Sequence, residues 1–142
     1  MLVRRKPVSF PSGALALLGV AATTCIATAA GGKASALAML DRIEPGLWQI
    51  IARDETEVVS ICVNDGRQLI QIRHRGESCR PFVIDDQPAI VTVQYTCPSQ
   101  GYGHTQIRFE NMRLVQLETQ GIESGLPFNF KAEGRRLGRC HP

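Results

Sequence analysis

Cysteine and histidine carry the widest chemical repertoire in this chain. A thiolate can attack a carbonyl, an imidazole can move a proton, and both bind metal. There are five cysteines, Cys25, Cys62, Cys79, Cys97 and Cys140, and three histidines, His74, His104 and His141. A Cys–His nucleophile needs a free thiolate beside an imidazole. A structural zinc site usually takes two ligands from one tight turn, as in C-x-x-C. From Cys62 onward the gaps between cysteines are 16, 17 and 42 residues, with no close pair. An even set of four in a chain with an export leader reads instead as a disulfide framework. His74, within "RHRG", and His104, on the outward parity of its strand, read as solvated surface residues; His141 is a tail residue. The sequence therefore assigns no catalytic residue, no cofactor and no metal ligand.

The other chemical candidates are weaker. Asp85 and Asp86 are adjacent, so they cannot face each other as a general acid and base; they read as turn residues. "GYG", Gly101 to Gly103, reads as a loop with no helix after it, not a phosphate cradle. No G-x-S-x-G, P-loop or H-E-x-x-H motif occurs. Trp48, the sole tryptophan, reads as a core or barrel-end plug, with a ligand-facing aromatic as its functional alternative. Arg73, Arg75 and Arg80 form one basic cluster, and Arg135, Arg136 and Arg139 another. Brought together, they would suit an anionic ligand or a lipid headgroup. The plainer expectation is solvated charge paired with Glu77, Glu118 or Glu133. The candidate contacts are thus Trp48, Arg73, Arg75, Arg135 and Arg136.

Residues 1–36 read as a secretory signal and its cleavage region. Arg4, Arg5 and Lys6 precede the apolar run Gly13 to Ala27, and small residues follow, the pattern of an export signal. The run falls short of the ~20 residues that span a bilayer. Two sites fit small-x-small cleavage, Ala27-Thr28-Ala29 and Ala34-Ser35-Ala36, and the sequence does not separate them. Cys25 would leave with the leader. After Ala36 there are 12 Lys+Arg against 13 Asp+Glu, a net charge of −1; the +3 of the whole chain belongs to the leader. A basic footprint for nucleic acid is therefore missing, and the mature chain has no stable transmembrane segment. Residues 37–142 read as one small domain that gains from cross-links.

That domain reads as all-β with one short helix. "GLWQIIAR" and "TEVVSICV" have hairpin spacing around Asp54-Glu55. Asn64 or Asp65 caps a brief helix through Leu69, Ile70 and Arg73, which Gly76 ends. Val91, Val93, Tyr95 and Cys97 share one parity, the mark of a sheet with one wet face. Thr105, Ile107 and Phe109 face inward on the next strand. The parity of "RLVQLETQGIE" switches between Leu114 and Val115, which predicts a bulge or bend. Leu126, Phe128, Phe130 and Ala132 share a face of the last strand, and Gly134 and Gly138 let the chain bend away after it. With short loops, about seven strands predict an antiparallel meander curled into an open barrel or a small sandwich. Cys79 and Cys97 lie at the outer ends of two strands joined by "DDQP". Facing residues on adjacent strands are ~4.5–5.5 Å apart at Cα, which suits a disulfide. Cys62 then pairs with Cys140.

Pro45-Gly46-Leu47-Trp48, Cys62-Val63 before the short helix, Cys79, Cys97 and the closing "GRRLGRC" resemble a bacterial envelope family, domain of unknown function 3617, over roughly Ile43 to Cys140. The family often carries Thr-Pro after its first cysteine, where this chain has Asn64-Asp65. The resemblance implies an exported, periplasmic, four-cysteine β domain and transfers no activity, cofactor or catalytic residue. The leading expectation is a non-enzymatic envelope or interaction domain with an unknown protein or small-molecule partner. The alternative is a small-molecule or lipid-binding, barrel-like protein, and a hydrolase or thiol enzyme comes third.

Overall fold

The computed structural model describes residues 36–53 and 58–140. The leader up to Ser35, the Asp54-Glu55 hairpin tip and His141 lie outside the described residues. The rest forms one antiparallel sheet of seven strands: β1 (Gly46–Ala52), β2 (Val58–Val63), β3 (Arg80–Asp86), β4 (Ile90–Cys97), β5 (Gly101–Asn111), β6 (Leu114–Glu123) and β7 (Leu126–Gly138). The order across the sheet is β2-β1-β7-β6-β5-β4-β3. The sheet is not closed into a barrel, because β2 and β3 remain at opposite edges. It is also not a sandwich, because there is a single sheet.

From β3 to β7 the chain is the meander that short loops predict. The first hairpin departs from it: β1 pairs with β7, from Leu47↔Gly138 to Ala52↔Ala132. The chain then travels from one edge to the other through residues 64–79. Apolar side chains on that link need cover. Leu69, Ile70 and Ile72 are all buried, so the link packs as a second layer on the sheet. Its helical part is shorter than expected, a 3-10 turn over Gly66–Leu69. Asp65 caps it by accepting from the Arg67 N–H, and the Gln68 side chain reaches back to the cap, a reciprocal box that satisfies the free N–H groups. A second segment, with a 3-10 turn at Leu40–Arg42, adds Leu37, Met39, Leu40 and Ile43 to the same core.

Alternation then sorts the sheet. Trp48, Ile50, Val91, Val93, Tyr95, Ile107, Val115, Leu117 and Ala132 face the covering layer and are buried. The other face is wet. There Lys131 opposes Glu118 at 3.2 Å, and Gln116 donates to Glu133 at 3.3 Å. The parity switch near Leu114 does mark a bulge, but the extra residue is on β5: Phe109 pairs with Val115 and Asn111 with Leu114. The last strand continues through Gly134. It runs to Gly138 with a bulge between the Leu47 and Trp48 pairings. Gly134 is small for packing reasons, since a Cβ there would sit 3.0 Å from Val115 and 3.1 Å from Ile50.

Candidate functional site

Two features stand apart from routine packing: a histidine-centred row under the covering link, and the bare edge of β3. The row runs straight across four strands, Tyr95↔Gly103↔Gly121↔Phe128. The two glycines leave a trough into which the outer rings lean. A Cβ on Gly103 would lie 2.3 Å from the Tyr95 ring, and one on Gly121 would lie 3.0 Å from Phe128. His74 drops into the trough from the link. Its ring centre is 5.4 Å from that of Tyr95, edge-on, and 6.0 Å from that of Phe128.

His74 is only 3% exposed, which corrects the surface reading. Its Nε2 lies 3.4 Å from the Gln100 carbonyl and its Nδ1 lies 3.2 Å from the Tyr95 hydroxyl. A carbonyl only accepts, so Nε2 is the donor to Gln100, while Nδ1 and the Tyr95 hydroxyl form a second hydrogen bond. Burial, with the nearby Glu123 charge, pushes the Tyr95 phenol up to about 12. The hydroxyl therefore stays protonated across the ordinary pH range. The trough anchors the link, and Cys79 and Cys97 are joined to each other, so neither is a free thiol. "GYG" is likewise not a loop: Gly101 and Gly103 belong to β5.

Beside the trough, Arg73 forms an ion pair with Glu123 at 3.4 Å. Its guanidinium lies 5.7 Å from the ring centres of both Phe128 and Phe130. Arg75 is exposed and borders the same cleft, about 140 Å³ in volume, whose apolar walls are Ile50, Ala52, Val59, Ile72 and Phe130. Arg135 and Arg136 are elsewhere. Arg135 contacts Glu133 at 2.7 Å and holds that carboxyl below the usual range. Arg136 donates to the Pro45 carbonyl at 2.8 Å. Arg135 opposes Leu114 at one end of β6, while Glu123, the partner of Arg73, closes the other end of that 10-residue strand. Arg73 also reaches Phe130, five residues before Arg135 on β7 and of opposite parity, so Arg135 lies roughly 17 Å away along the strand and on the other face, and the two groups do not meet. Trp48 is fully buried and donates Nε1–H to the Glu44 carbonyl at 3.0 Å. It is a core residue and does not line the cleft.

The cysteines pair as expected. Cys79–Cys97 spans adjacent strands at a Cα separation of 4.2 Å. Cys62–Cys140 has a Cα separation of 5.7 Å and links β2 to the chain just after β7. Both flank the start of β1, where Leu47 opposes Cys62 on one side and Gly138 on the other. Strands two apart lie ~9.5 Å from each other, so the tail must leave its ladder and cross β1. Gly46 makes room for this: its φ is +149°, and a Cβ there would lie 2.2 Å from the Gly138 carbonyl.

β3 is the other feature. Six of its seven residues are exposed, with Phe82 at 69%, Val83 at 38% and Ile84 at 50%. One side pairs with β4, with an irregularity between Val83 and Asp85, and the other side is free. The disulfide at Cys79 holds one end. At the other, Asp86 accepts from the Leu37 N–H at 2.9 Å, and Arg42 donates to the Pro88 carbonyl at 2.9 Å. The sequence predicts this strand but not its exposure, because an apolar "PFVI" has the pattern of a core strand unless its edge position is known. Family models, characterised proteins and solved structures provide no match to the chain.

Proposed function

We propose that the chain is a non-enzymatic, disulfide-stapled interaction domain of the bacterial envelope that works in the periplasm and docks a protein partner along β3. One observation carries the reading: an apolar strand with a free edge, exposed on both faces and fixed at both ends, in a sheet whose one apolar face is filled by its own link. An extended peptide adds to such an edge through backbone hydrogen bonds, with side-chain contacts supplying specificity. Because the edge is already ordered, little further entropy is lost on docking. Two disulfides suit an oxidising compartment, and the resemblance to the envelope family supports the same address. Among the described residues, no helix is long and apolar enough to cross a membrane.

The test is a photo-crosslinking side chain placed at Phe82 in cells, compared with one at the exposed Gln120 on the wet face. A discrete protein adduct at Phe82 alone supports the reading. Equal labelling at both positions, or none at either, overturns it. A small-molecule reading is favoured by the cleft at Phe130, about 140 Å³, which sets apolar walls beside Arg73, Arg75 and Glu123 and would suit a small ligand with one charged end. It requires a copurifying ligand in native mass spectra that Phe130→Arg removes.

A further inference from the structure

The N-terminal boundary of the folded unit carries its own chemistry. Leu37 is the first residue of the core, 6% exposed. Its backbone nitrogen lies 2.9 Å from a carboxylate oxygen of Asp86. Its φ is +65°, a left-handed conformation that crowds the Cβ of a leucine and is uncommon outside Gly, Asn and Asp. All three facts meet at one peptide bond, Ala36–Leu37.

We infer that this bond is the processing site, and that the amino group released there is a built-in ion-pair partner for Asp86. Hydrolysis adds water across the C–N bond. A carboxylate remains on Ala36, and an ammonium appears on Leu37 where the amide N–H had been. An envelope peptidase that selects small residues at the first and third positions before the cut would accept Ala36 and Ala34. Two consequences favour the product. The hydrogen bond to Asp86 becomes a charge-assisted pair, stronger than one between amide and carboxylate. The strained angle also disappears, because φ of Leu37 is defined by the carbonyl carbon of Ala36. Cutting removes the contact of Arg67 with the Ala36 carbonyl, but Arg67 keeps Asp41 and Asp65. Cleavage after Ala29 would instead leave the strain in place and seven residues ahead of the core.

The inference rests on the export reading, and one experiment separates the two. The full chain is expressed in a bacterial host, fractionated, and its intact mass and N-terminal sequence are determined. A periplasmic protein starting at Leu37 is the expected result. A periplasmic protein starting at Ala30 overturns the site and keeps export. An unprocessed cytoplasmic chain overturns both. On the processed protein, isotope-labelled methylation of the α-amino group follows its titration by NMR. The Arg67 guanidinium, which lies against the Ala36 carbonyl before the cut, and the burial of Leu37 both oppose the ammonium, so the test is comparative: Asp86→Asn is expected to lower the α-amino titration relative to the parent. Asp86 is exposed, so the variant should fold, which circular dichroism checks. An α-amino titration that Asp86→Asn leaves unmoved would overturn the ion pair.

Discussion

At the scale of single residues, the glycines of the central trough matter as much as the rings they admit. Gly103→Ala puts a methyl group into the Tyr95 ring, and overpacking of this kind costs about 2 kcal/mol. Gly138→Ala meets nothing within 4 Å and should stay within about 0.5 kcal/mol of the parent, as isolated surface changes do. Urea midpoints compare the two. Tyr95 supplies a pH test. Its folded pKa of about 12 exceeds the ordinary 10.0, so the native state holds its proton longer than the unfolded chain does. Stability from this group is complete below pH 10 and is lost as pH rises toward 12, by about 2 to 3 kcal/mol. In Tyr95→Phe that part of the stability–pH curve should flatten. Trp48, sealed in the core, should show blue-shifted emission that added ligands do not change; a red-shifted or ligand-sensitive spectrum would return it to the list of binding residues.

At the scale of elements, the two disulfides act on different objects. Cys62–Cys140 closes a span of 78 residues, and the chain-entropy model gives about 4 kcal/mol for a loop of that size; Cys79–Cys97 closes 18 and gives about 3. Replacing Cys62 and Cys140 by Ser should therefore cost more in global melting temperature. Replacing Cys79 and Cys97 should show locally, as faster amide exchange along β3 and weaker crosslinking at Phe82. How far these elements could be read beforehand follows from where their information lies. Strand parity is local, so the buried row Val91, Val93, Tyr95 and Cys97 was legible. The pairing of Cys79 with Cys97 was legible because a turn lies midway between them. The burial of His74 was not, because it is set by the route of a non-strand link whose arginine neighbours suggest solvent. The pairing of β1 with β7 leaves no local trace either. The long Cys62–Cys140 bridge was its one remote clue, since it ties the second strand to the end of the last.

At the scale of the whole molecule, one wet polar face, one filled face and two unlike edges divide the labour. The inner face makes the core, and the β3 edge is left for contact. The same division explains why the arginines do not gather. Arg73 belongs to the filled face beside its phenylalanines, whereas Arg135 and Arg136 neutralise neighbours at the far end of β7. A charge-reversed Glu133→Lys should therefore disturb Arg135 locally and leave the cleft at Phe130 unchanged, which NMR chemical shifts along β7 and around Phe130 would report.

The place of β7 between β1 and β6 also has a bearing on biosynthesis. This interior strand is the last of the seven to be made. Until it emerges, the first hairpin has no sheet to join, and a two-stranded hairpin alone is marginal in water. The bridge between Cys62 and Cys140 waits for the same event. Ribosome-bound and truncated products should thus remain open to proteases, so the domain checks its own completeness: only a chain synthesised through Cys140 can close.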